Sequence, residues 1–91
     1  MQQRWQRVYI GVTVEFDAAG TMLPRALTWT DGRIYEIDRV LDIRRAAALK
    51  SGGQGDRYTV SIAGQQRQLF FEHSAERYSI QLGRWFVPVC A

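Results

Sequence analysis

Lys50 and Ser51 stand directly before Gly52, Gly53 and Gly55 in "LKSGGQGDRY" (49–58), and Asp56 and Arg57 follow. An ammonium, a hydroxyl and several glycines are the materials of a phosphate cradle, in which backbone N–H groups hold the anion. That cradle needs its glycines first, then Lys-Ser or Lys-Thr, between a strand and a helix. Here the order is reversed and a strand-like pattern follows. The stretch therefore reads as an inter-strand loop, with contact to an anionic partner through Lys50 and Arg57 as the alternative, and no nucleotide hydrolysis and no specific ATP or GTP binding is expected.

Other chemistry-bearing types are sparse. His73 lies in "FEHSAE" beside Glu72, Ser74 and Glu76, but nucleophile, base and orienting group must converge in space, which close neighbours at a strand end do not do. One histidine and one cysteine do not make a structural zinc site, which takes four such ligands. Cys90 is penultimate, a poor place to tune a thiolate. The carboxylate pairs Asp38/Asp42 and Glu72/Glu76 are interleaved with arginines, where solvated ion pairs are the usual outcome. No catalytic set, metal site or cofactor is expected.

Aromatic and arginine residues carry the remaining signal. Phe70–Phe71 and Trp85–Phe86 are adjacent pairs, and consecutive strand residues face opposite ways. At each pair one ring enters the core and the other points out unless something covers it. An outward ring beside arginine suits base stacking on single strands and equally suits a protein hot spot. The candidate binding set is Lys50, Arg57, Arg67, Arg84, Trp85 and Phe86, with the three arginines expected to surround a platform made by Trp85 or Phe86.

The elements that must position these residues are strands. Val8, Ile10, Val12, Val14 and Phe16 alternate with polar or small residues, a half-buried strand. "DAAG" (17–20) has the Asp and Gly of a type I turn. In "MLPRALTWT" (22–30), Leu27 and Trp29 share a face, and Pro24, lacking an N–H, suits an edge or a strand start. Asp31-Gly32 signals a hairpin. The segment 33–45 fits both a strand and a helix, and its Ile, Val and Tyr content and the preceding turn favour strand. Residues 46–49 suit one helical turn. Tyr58, Val60 and Ile62 then alternate, as do Leu69 and Phe71, and finally Tyr78, Ile80 and Leu82 before Gly83, a bulge or bend position.

This pattern predicts one all-β domain over residues 1–91, a small antiparallel SH3-like barrel or bent meander of five or six strands. The 91 residues include three Trp, four Tyr and four Phe, enough for one thin core. No apolar run is long enough for a membrane helix, and the first residues alternate where a secretory leader would not, so a cytoplasmic protein with no membrane partner is expected. The net charge is +3, dispersed among acidic residues, which describes a mixed solvated surface better than a nucleic-acid stripe.

Four words of the chain, "RIYEIDRVLD" (33–42), "GGQGDRY" (52–58), "FFEHSA" (70–75) and "GRWFV" (83–87), resemble a family of small bacterial proteins without an assigned activity. The succession of "VLD", "YTV" and "GRWF" is also similar to the short C-terminal domain attached to bacterial translesion (Y-family) DNA polymerases. These resemblances support the fold expectation and imply no activity. The leading functional expectation is a non-enzymatic binding module accessory to nucleic-acid transactions, binding single strands weakly. The alternative is an interaction or self-associating domain, with a protein partner or a homodimer, that uses an exposed strand edge and outer aromatics.

Overall fold

The computed structural model describes residues 5–46, 55–76 and 80–90. Seven strands carry them: β1 (Trp5–Phe16), β2 (Met22–Thr28), β3 (Ile34–Glu36), β4 (Arg39–Ala46), β5 (Gly55–Ile62), β6 (Gln65–His73) and β7 (Gly83–Cys90). They form one antiparallel sheet in the order β3-β2-β1-β7-β6-β5-β4, curled into a half-barrel. The expected small bent antiparallel fold is present, with seven strands in place of five or six.

The extra strand comes from the ambiguous segment, which is neither a helix nor one straight strand. At Ile37–Asp38 the chain leaves the side of β2 and joins β5. The Ile37 N–H donates to Arg25 O at 2.8 Å, and the Asp38 N–H donates to Ser61 O at 2.8 Å. β3 and β4 thus behave as two halves of one bent strand, which brings β4 against β2 and draws the ends of the sheet together. β1 bends likewise: Trp5–Ile10 pair with β7, and Gly11–Phe16 pair with β2. Of the suggested helical turn at 46–49, Ala46 ends β4 and the rest lies outside the described residues.

Turn chemistry sets the hairpins. In both Asp17–Thr21 and Trp29–Arg33, the fourth residue is a glycine with positive φ whose N–H returns to the first carbonyl at 2.9 Å. The Asp31-Gly32 pair therefore does not form the centre of a two-residue turn. Only Gly32 is left-handed, and the loop is a type I turn followed by a glycine bulge. The true two-residue turn joins β5 to β6 through Ala63 (φ 51°) and Gly64 (φ 76°). Asp38 reinforces it by accepting from the Gly64 N–H at 3.3 Å.

One further expectation holds and another is corrected. Pro24 is fully buried near the start of β2, opposite Val14 at the β1–β2 irregularity and outside the Ala26–Thr28 stretch that pairs with β3. A missing N–H is tolerated there because the ladder is already interrupted. Ile80 and Leu82 belong to no strand and are exposed, and Tyr78 lies outside the described residues. β7 begins at Gly83, without a bulge in its pairing with β6. A Cβ at Gly83 would stand 2.2 Å from Glu72 O, so close approach to β6 explains this glycine.

The core lies on the concave face. Tyr58 and Val60 of β5, Leu69 and Phe71 of β6, and Trp85 of β7 meet Leu27 and Ile37. Each apolar side chain buried this way contributes about 1.5–3 kcal/mol. Tyr58 also donates its phenol to Met22 O at 2.9 Å. Burial, aided by the charge of Asp56, pushes the Tyr58 phenol above its ordinary pKa.

Candidate functional site

β1, β7 and β6 lie side by side, and their registers decide which side chains share the convex face. Tyr9 is opposite Phe86, and Phe86 is opposite Phe70. One step along, Arg84 is opposite Glu72. Because side chains alternate across a strand, Trp5 and Arg7 stand on the same face as Tyr9. The result is an aromatic row with charges along its side.

Phe86 is the centre of the row. Phe70 stacks on it with ring centroids 5.3 Å apart at 12°, and Tyr9 meets it edge-on at 5.8 Å and 62°. The Arg7 guanidinium covers Phe86 from 4.9 Å, and the Arg84 guanidinium covers Tyr9 from 4.0 Å. Glu72 ties the charges together. Its Oε2 accepts from the Tyr9 hydroxyl at 2.7 Å and from Arg7 Nη1 at 3.3 Å, and its Oε1 lies 3.7 Å from Arg84 Nη2. Aromatic pairs of this geometry contribute about 0.5–1.5 kcal/mol beyond area burial. Exposed cation–π contacts contribute about 0.5–1 kcal/mol.

The expected platform is rearranged by this packing. Trp85 is 7% exposed and faces the core against Tyr58 and Phe71, while Phe86 points outward yet is only 3% exposed. Among the described residues, side chains of the neighbouring strands cover Phe86. Arg84 joins the site. Arg57 lies on the same face, in register with Phe70, and its Nε is buried without a hydrogen-bond partner. Arg67 does not join them. It pairs with Val60, so it belongs to the opposite face, where Nη2 donates to Gln65 Oε1 at 2.5 Å. There it borders an apolar groove of about 690 Å³ lined by Trp29, Tyr35, Ile62 and Val87. Lys50 and the rest of the glycine stretch at 49–54 lie outside the described residues.

Arg7, Tyr9 and Glu72 are functional candidates that sequence reasoning passed over. Their available signal was Tyr9 standing on the polar side of an otherwise β-branched alternation, with Trp5 and Arg7 in phase with it. Exposed on this face are Trp5 at 67%, Tyr9 at 37% and the end of Arg84, with Gln68 and Cys90 at its margins. A shallow notch of about 380 Å³ beside Tyr9 and Arg84 opens where β1 bends away from β7.

His73 Nε2 lies 2.7 Å from Asp56 Oδ2 at the strand ends, with its ring against Phe71. Cys90 is exposed at the end of β7, opposite Trp5. Among the described residues no group of three or more His, Cys, Asp or Glu side chains converges as metal ligands. Among the same residues no helix is long and apolar enough to cross a membrane.

No protein-family model, curated protein or solved structure matches the chain.

Proposed function

We propose that this chain is a non-catalytic interaction domain whose contact surface for another protein is the convex face of β1 and β7, centred on Trp5, Tyr9 and Arg84. The observation that carries this reading is that a tryptophan, a tyrosine and an arginine are exposed together on this face, with Cys90 at its edge. Tryptophan, tyrosine and arginine are the types that dominate protein–protein hot spots. Tyr9 and Arg84 are held in place by Phe86 and Glu72 before any partner arrives. Contacts ordered in advance lose less conformational entropy on binding.

The nucleic-acid reading is less favoured by the same geometry. Stacking needs an open ring face, whereas Phe86 is covered and Tyr9 carries Arg84 above it. Phosphate binding needs uncommitted cations, whereas a carboxylate sits between Arg7 and Arg84.

Quantitative affinity capture, comparing the wild type with Tyr9→Ala and Arg84→Glu as bait, tests the proposal. A protein recovered by the wild type and depleted by both variants supports it. Identical capture profiles overturn it, as would a single-stranded oligonucleotide that shifts the Tyr9 and Arg84 resonances and still does so in moderate salt.

A further inference from the structure

β4 is the last strand of the sheet, and it differs from the other terminal strand in length. β3 has three residues, whereas β4 has eight and, among the described residues, pairs only with β5. A long unpaired edge presents a row of N–H and C=O groups that can template a further strand. The β4–β5 register shifts between Val40 and Asp42, so the edge runs regularly from there to Ala46. Two of its apolar side chains, Leu41 and Ile43, are 44% and 38% exposed.

The charges on this edge are self-complementary in one register only. Asp42 and Arg44 share the convex face, with Arg44 Nε donating to Asp42 Oδ2 at 2.7 Å. Consider a second copy pairing antiparallel about a two-fold axis perpendicular to the sheet. The axis then passes beside one residue and its own symmetry mate. On Asp42 it opposes two carboxylates, and on Arg44 it opposes two guanidinium groups. On Ile43 it sets Ile43 against Ile43 and each Asp42 against the other copy's Arg44. Opposite charges directly across a ladder stabilise it and like charges destabilise it.

Within one chain, Arg44 is directly opposite Arg57 on β5, a like-charge neighbour. A second copy would place a carboxylate on the other side of Arg44.

We propose that β4 is a homodimerisation edge, pairing with the β4 of a second copy in the register that puts Ile43 on the two-fold axis. The proposal rests on the reading of the chain as an interaction domain and names a second copy as the partner of its other exposed element.

Charge reversal tests both the contact and its register. Asp42→Arg leaves a chain with two arginines in the row, and Arg44→Asp leaves one with two aspartates. Sedimentation should show a concentration-dependent dimer for the wild type and association weakened about tenfold or more for each variant alone. An equimolar mixture of the two variants should recover dimers, because two arginines then face two aspartates. The internal Asp42–Arg44 pair is broken in both variants, so loss of that pair alone cannot produce recovery on mixing. Independently of any substitution, amide exchange at 41–45 in the wild type should slow as protein concentration rises.

A wild type that stays monomeric at high micromolar concentration overturns the proposal, as does a mixture no better associated than its components. Its failure would leave capture through Tyr9 and Arg84 untouched, and an unaltered capture profile would leave the mass measurements untouched.

Discussion

On the concave face, Trp85 meets Tyr58 and Phe71 at ring-centroid distances of 4.9 and 5.1 Å. On the convex face, Phe86 meets Phe70 and Tyr9 at 5.3 and 5.8 Å. The two clusters sit back to back on consecutive residues of β7 and are packed almost alike. They differ in their surroundings. Trp85 is enclosed by Leu69, Val60 and Leu27 in the core, whereas Phe86 is roofed by Arg7 and bordered by Glu72 and Arg84. Close ring packing alone therefore does not mark a core. The inner cluster derives its strength from excluded water, and the outer one holds a polar surface in a fixed shape.

The largest expected effect contrasts the clusters directly. Trp85→Ala should destabilise the fold by about 3–5 kcal/mol, because a large cavity opens among side chains that cannot collapse. Tyr9→Ala should cost only about 1 kcal/mol, since its ring is partly in water and its hydroxyl bond is exposed. Urea unfolding of both variants measures the difference. Equal costs would mean that the convex cluster is a second core and not a surface.

A smaller effect is expected between the two faces, at Gly83. Gly83→Ala forces a methyl group against Glu72 O and the Phe71 ring, so β6 and β7 must separate where both clusters are anchored. The expected cost is about 1–3 kcal/mol. Chemical shifts of Tyr9 and Arg84 should move with it, and unchanged shifts would uncouple the convex face from the β6–β7 spacing.

The smallest effect belongs to the polar tip inside the concave cluster. Tyr58→Phe removes the bond to Met22 O and should cost about 1 kcal/mol near neutral pH. The folded-state pKa of Tyr58 is raised from 10.0, by burial first and by Asp56 second. Its contribution is therefore fully present below pH 10.0 and is lost as pH rises through the folded pKa, because the unfolded chain ionises first. Tyr58→Phe should lose less stability than the wild type between neutral pH and pH above 10.0. An unchanged alkaline slope would assign the loss to other tyrosines.

Alternation over Val8–Val14, Tyr58–Ile62 and Leu69–Phe71 made the strands and most of the core legible, because a half-buried strand must alternate. The break at Ile37–Asp38 was not legible, since it depends on β2 and β5 lying on either side of the chain there. Ile80 and Leu82 fit an alternation too, but alternation does not guarantee a pairing partner. Of the proposed contact face, the word at Arg84–Phe86 marks one strand, β7. Its companions Arg7, Tyr9 and Glu72 come from the β1–β7 and β6–β7 registers. No local pattern records which residues meet when the partners lie at opposite ends of the chain. Arg67 was misplaced for a different reason: it lies three residues along β6 from Phe70, an odd spacing that puts it on the other face.

The registers also divide the chain by sequence distance. β1, β2 and β3 pair as consecutive hairpins, and so do β4, β5, β6 and β7. Only the β1–β7 ladder joins the first described strand to the last, Trp5 with Cys90 through to Ile10 with Trp85. Loop-closure entropy makes such a distant pairing slow relative to hairpins that form within their own neighbourhood. Two meanders can therefore form early, with the β1–β7 seam closing late. Tyr9 and Arg7 reach Phe86 and Glu72 only across that seam, so the convex surface can form no earlier than the seam that joins the two meanders.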